Sequence, residues 1–126
     1  MKVWRGGFLT LMLVGWLWLI PVFPILSPGP AAAKALPVLL EFGRKGCNIC
    51  QRSESIVQAV KDQYPGRFEV RRFYINQEQS WFYRYKVAIV PSQVFLDAEG
   101  REVYRHAGVF KIDDLIRKLR ELKFIK

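Results

Sequence analysis

The sequence predicts an α/β domain in the order β-α-β-α-β-β-α, with a four-stranded mixed sheet and helices on both faces. Three observations carry this expectation. An apolar run, Pro37 to Phe42, leads into Cys47-Asn48-Ile49-Cys50 and then a helix-like stretch, so a strand feeds a helix that opens on C-x-x-C. That helix is long enough for a crossover, which sets the first two strands parallel. A turn signal, Asp97-Ala98-Glu99-Gly100, separates two short strand-like runs and sets them antiparallel.

The elements follow in order. The first strand covers about Val38 to Phe42. The first helix begins near Cys47 and stops before Pro65-Gly66, with Ile49, Ile56, Val57, Val60 and Tyr64 as its apolar positions. In the second strand, about Phe68 to Ile75, Phe68, Val70, Phe73 and Ile75 are apolar among Glu69, Arg71 and Arg72. Residues Gln77 to Tyr85 read as a short helix whose aromatic residues Trp81, Phe82 and Tyr85 have helical spacing, which favours core packing over a substrate-facing patch with Tyr83. Strands from Gln93 to Leu96 and Glu102 to His106 flank the turn. The last helix, about Ile112 to Leu122, has apolar positions Ile112, Leu115, Ile116, Leu119 and Leu122, and Asp113 and Asp114 suit its N-terminal dipole.

A chain of 126 residues holds one small domain, here residues 36–126, behind a leading segment of 1–35. The leader opens with Lys2 and Arg5, continues through the apolar stretch Phe8 to Leu26, and ends in Ser27-Pro28-Gly29-Pro30-Ala31-Ala32-Ala33-Lys34-Ala35. Basic start, apolar run and A-x-A ending describe a secretory signal peptide. As a helix, Phe8 to Leu26 would also rise about 28 Å, close to the bilayer core of about 30 Å, so a retained membrane anchor is the alternative. Lys2 and Arg5 would stay cytoplasmic, and both readings place the domain outside the cytoplasm, in a periplasm or on the outer face of the membrane. A disulfide persists there.

The net charge of +9 does not point to nucleic acid. Lys2, Arg5 and Lys34 sit in the leader, the remaining basic residues are scattered, and no nucleic-acid motif accompanies them. A solvated basic face is the better reading.

The only two cysteines, Cys47 and Cys50, stand close enough to form and break a disulfide reversibly. Zinc needs about four ligands, and two cysteines with the single His106 do not supply them, so no metal is expected. Haem attachment needs His directly after the second cysteine, where Gln51 stands. A purely structural disulfide stays open, although so short a loop constrains the unfolded chain least. In the redox reading Cys47 is the nucleophile, its thiolate favoured by the helix N-terminus and by Arg44, Lys45 and Arg52, and Cys50 resolves the mixed disulfide. Arg44 and Lys45 read equally as plain exposed loop charges. His106 reads as structural.

With C-x-x-C on this element order, residues 37–122 resemble the thioredoxin superfamily in a minimal version. Glu41 stands six residues before Cys47, where members often carry a buried acid; Val90-Pro91-Ser92 matches the apolar-Pro-Thr segment; Leu96 to Val103 matches the hairpin; and Gly108 matches a glycine before the last helix. Gly46 departs from the aromatic residue usual before the first cysteine, and Asn48-Ile49 from the usual dipeptides.

The resemblance implies a thiol–disulfide oxidoreductase with no cofactor beyond the Cys47–Cys50 pair, acting on protein cysteines. It implies that Pro91 is cis, which leaves the backbone of Val90 free to pair with an extended substrate, with Asn48 and Ile49 on the same surface. It makes Glu41, read as a buried carboxyl without a partner, a proton relay for Cys50; the alternative is an ordinary strand glutamate that faces solvent or pairs with a lysine. Reduction, fed by a membrane electron donor, is the favoured direction. A disulfide-forming oxidase and a non-enzymatic binding module are the alternatives.

Overall fold

The computed structural model describes residues 34–126. The expected signal peptide or anchor, Phe8 to Leu26 included, lies outside the described residues except for Lys34 and Ala35. Among the described residues no helix is long and apolar enough to cross a membrane.

The elements are β1 (Val38–Gly43), α1 (Asn48–Gln63), β2 (Glu69–Tyr74), α2 (Gln79–Arg84), β3 (Ser92–Leu96), β4 (Glu102–Ala107) and α3 (Ile112–Glu121). They form one sheet in the order β2-β1-β3-β4. β1 runs parallel to β2 and antiparallel to β3, and β3 pairs antiparallel with β4. Element order, the parallel β1–β2 pair and the antiparallel β3–β4 pair agree with the sequence reading, and the β1–β3 pair joins them into one sheet. α2 begins two residues later than expected, because the N–H groups of Gln77 and Glu78 both donate to the Tyr74 carbonyl in a turn that closes β2.

β1 and β3 are the inner strands, buried on both faces. Strand alternation sends Leu39 and its partner Phe95 to one face, where α1 and α3 cover them with Val57, Val60, Leu115 and Leu119. Leu40 and its partner Val94 go to the other face, with Phe42, Phe73 and Phe82 of α2. Phe124 and Ile125, beyond the expected last helix, fold back into the first of these cores as the Phe124 and Ile125 N–H groups reach the Leu119 carbonyl.

Phe95 is fully buried and meets the rings of Tyr104, Phe110 and Phe124. Phe95→Ala is expected to cost about 3–5 kcal/mol, a large part of the about 5–15 kcal/mol that holds a domain together. Urea unfolding should show a sharply lowered midpoint, and an unmoved midpoint would contradict the place of Phe95 in the core.

Candidate functional site

One end of the sheet gathers the residues that carry chemistry. Phe42 pairs with Ser92 in the antiparallel register, so Gly43 and Pro91 lie level at that end. The Gly43 carbonyl accepts from Ile75 N–H (3.0 Å), and the Pro91 carbonyl accepts from Gly108 N–H (2.7 Å). The chain leaves β1 here, turns through Arg44, Lys45 and Gly46, and starts α1. Gly46 takes φ +79°, a left-handed conformation in which a side chain is strained. The turn therefore suits glycine.

Cys47 is the N-cap of α1, and its Sγ accepts from the Cys50 N–H at 3.3 Å. The two cysteines are disulfide-bonded, with Cα atoms 5.3 Å apart. They differ sharply in access: Cys50 is 1% exposed, whereas Cys47 is only half-buried. No acidic residue occupies the first turn, so nothing offsets the positive end of the helix beside the sulfurs. Asn48 and Ile49 are exposed on that turn. Val90-Pro91 is a cis peptide, Pro91 is buried and Val90 half-buried. Ile89, beside them, is also exposed and joins Ile49 among the few large apolar side chains left open to solvent; the sequence reading did not single it out.

Beneath the sulfurs, the buried stripe of α1 lies over β1 in matching steps. Cys50 lies against Gly43, where an added Cβ would stand 3.5 Å from Cys50 Cβ. Ser53, the next buried position, donates to Glu41 Oε1 at 2.9 Å, and Val57 shares the core with Leu39. Steps of three and four along the helix thus match steps of two along the strand.

Glu41 is buried, as the resemblance implies, yet it is not without partners. Arg72, its neighbour in the parallel register, donates from Nε to Glu41 Oε2 at 3.1 Å and from its guanidinium to Gln58 Oε1 at 3.0 Å. Gln93, its neighbour on the other side, donates to Ser53 Oγ at 2.8 Å and to the Gly108 carbonyl at 3.3 Å. Its own Oε1 is buried without a hydrogen-bond partner among the described residues. Burial pushes the Glu41 carboxyl above the ordinary carboxylate range, against the opposing pull of its hydrogen bonds from Ser53 and Arg72 and of the Arg72 charge.

Ser53, Arg72 and Gln93 were not legible as site residues. A polar residue on the buried face of a helix was the one available signal for Ser53. Arg72 and Gln93 are brought to Glu41 only by strand register.

The remaining candidates sort by position. Arg44, Lys45 and Arg52 are exposed, and the Lys45 ammonium sits over the Tyr74 ring, 3.8 Å from its centroid. Trp81 stacks on Phe73 and Tyr85 meets Phe42, while Phe82 is buried. Tyr83 alone of these aromatics points outward, at 79% exposure. His106 stacks on Phe110 at 3.8 Å, and burial lowers its pKa. Among the described residues no three His, Cys, Asp or Glu side chains gather as metal ligands would.

Residues 30–123 match the Thioredoxin-like domain family. The fold is similar to thioredoxin-2, a component of malaria parasite protein secretion machinery, with TM-score 0.66 and 18% identity over 71% of this chain and 85% of that one. It is also similar to the germline-specific thioredoxin Deadhead of Drosophila melanogaster, with TM-score 0.63 and 25% identity over 70% and 82% of the two chains. A structure described as a malarial protein gives TM-score 0.63 and 17% identity over 68% and 96% of the two chains. No curated protein matches the sequence. Fold and paired cysteines together support a thiol–disulfide redox role. A family match across most of the chain, with the expected element order and the cysteine pair heading α1, makes this protein a member of the thioredoxin-like family.

Proposed function

We propose that this protein is an extracytoplasmic thiol–disulfide oxidoreductase that reduces disulfides of other proteins through the Cys47–Cys50 dithiol. The observation that carries the reading is the unequal access of the two sulfurs: half-buried Cys47 caps a helix N-terminus and Cys50 is sealed beneath it. Thiolate at Cys47, favoured by the helix end, attacks a substrate disulfide, and the displaced substrate sulfur leaves with the electron pair. Cys50 then attacks Cys47 Sγ, the internal disulfide forms, and the second substrate sulfur departs. Glu41 acts on the protonation of Cys50 from the buried side, where burial raises its pKa above the ordinary carboxylate range and suits it to acid–base work. Val90, Pro91, Asn48 and Ile49 form the surface that receives the substrate chain.

Placement outside the cytoplasm rests on the leader, whose apolar run begins after Lys2 and Arg5. An electron-donor protein in the membrane would return the pair to its dithiol form. Insulin reduction by the full chain, compared with Cys47→Ser, tests the activity. The expected result is turnover in the wild type and none in the variant, and equal activity in both would contradict the reading.

A further inference from the structure

The chain enters the domain at a cleft, at the end of the sheet away from the sulfurs. Val38, the first residue of β1, pairs there with Leu96, the last of β3, and their outer neighbours Pro37 and Asp97 both line the cleft. Its volume is about 330 Å³. Exposed Leu36 and half-buried Leu122 give it apolar surface, and Lys34, Arg67, Lys123 and Lys126 stand exposed around it.

The charge of this end is one-sided. Asp97 is the one acid in the lining, and it already accepts from the Arg101 N–H at 2.9 Å and from Arg101 Nε at 2.8 Å. None of the four cations takes part in an ion pair among the described residues. Lys123 adds a second, independent observation. It follows α3 in a left-handed conformation, φ +61°, with its N–H donating to the Arg120 carbonyl and the Phe124 N–H to the Leu119 carbonyl, both at 2.9 Å. Such a turn closes most easily on glycine, and a lysine there is strained. The turn itself calls for glycine; what lysine adds is a charge at the rim of the cleft.

We propose that this end of the domain docks on anionic lipid headgroups, with the leader retained as a membrane anchor. The fit is one of length and of charge. Residues 27–33, between the apolar run and Lys34, span at most about 25 Å even when fully extended. A tether that short holds the domain beside the bilayer at about millimolar effective concentration. Each Lys or Arg near an anionic surface then strengthens the contact about fivefold. Docking by this end turns Cys47, at the other end of the sheet, away from the bilayer and toward substrates in solution. The proposal concerns where the domain is held and does not depend on the redox reading.

The test places full-length protein in vesicles of phosphatidylcholine alone or with about 30% phosphatidylglycerol. Its lysines are labelled sparingly with an uncharged, water-soluble acylating reagent and read by mass spectrometry. On the anionic vesicles Lys34 and Lys123 are expected to label at least about fivefold more slowly than on the neutral ones. Lys45, beside the sulfurs, should label alike on both. Salt at about 1 M, where screening acts within about 3 Å, should abolish the protection. Lys123→Gly should raise the urea midpoint, because it relieves the left-handed lysine, and yet weaken the protection of Lys34. Adding Arg67→Gln should weaken it further, with insulin reduction unchanged. Equal labelling of Lys34 and Lys123 on the two kinds of vesicle would overturn the proposal. So would protection that Lys45 shares, that salt leaves intact or that both substitutions leave unchanged. Protein that fails to float with the neutral vesicles would remove the anchor on which the docking depends, and the proposal with it.

Discussion

Cys50→Ser is expected to convert the protein into a trap. Cys47, half-buried at the helix end, still attacks a substrate disulfide, but nothing nearby completes the exchange. Well-oriented intramolecular groups reach effective concentrations of about 10⁵ M or more, against about millimolar for any external thiol, so turnover should fall at least about 10³-fold. A disulfide-linked adduct between the protein and its substrate should accumulate on non-reducing gels. Cys47→Ser should form none, because the remaining thiol, Cys50, is sealed at 1% exposure. Adducts formed equally through either cysteine would contradict the assigned order of attack.

Glu41→Gln carries the second large effect, and it appears in two measurements. Turnover should drop by about 10²-fold, because an amide cannot share the proton that Cys50 sheds, while the equilibrium redox poise changes little. Stability should respond to pH in a definite direction. Burial raises the folded-state pKa of Glu41 above its ordinary 4.5, so the native state keeps a proton that the unfolded chain has already released. The contribution of Glu41 to stability is therefore fullest below about pH 4.5 and is lost as pH rises through the folded pKa. Carboxylates held low, Asp97 chiefly by the Arg101 backbone N–H and Glu102 by the Arg105 side chain, act in the opposite direction. The difference between wild type and Glu41→Gln isolates the Glu41 part. Urea unfolding at a series of pH values should show the wild type losing stability relative to the variant across that rise. Parallel curves would place Glu41 outside the buried network, and unchanged turnover across pH would remove its part in the chemistry.

Much of this architecture was readable before any coordinates. Strand-then-C-x-x-C fixed the start of α1, and the turn at Asp97 to Gly100 fixed the β3–β4 hairpin, because both signals are local. Ser53 was not readable as a partner of Glu41, nor Gln93 as a partner of Ser53, since the two stand on other elements, 40 residues apart in the chain. Arg72 looked like one of several scattered positive charges until the β1–β2 register set it beside Glu41. Phe124 and Ile125 lie beyond the last expected helix, and their burial depends on the chain reversing after α3.

Equilibration of the full-length protein against glutathione and dithiothreitol, with the Cys47–Cys50 state read by thiol alkylation, tests the central claim most directly. The account predicts a reversible two-electron transition with a midpoint near that of thioredoxin, about −270 mV, as suits a reductase supplied by a membrane donor. A midpoint near −120 mV would assign the protein to disulfide formation instead. A pair that stays oxidised through the whole dithiothreitol range would contradict the claim that it is a working redox couple.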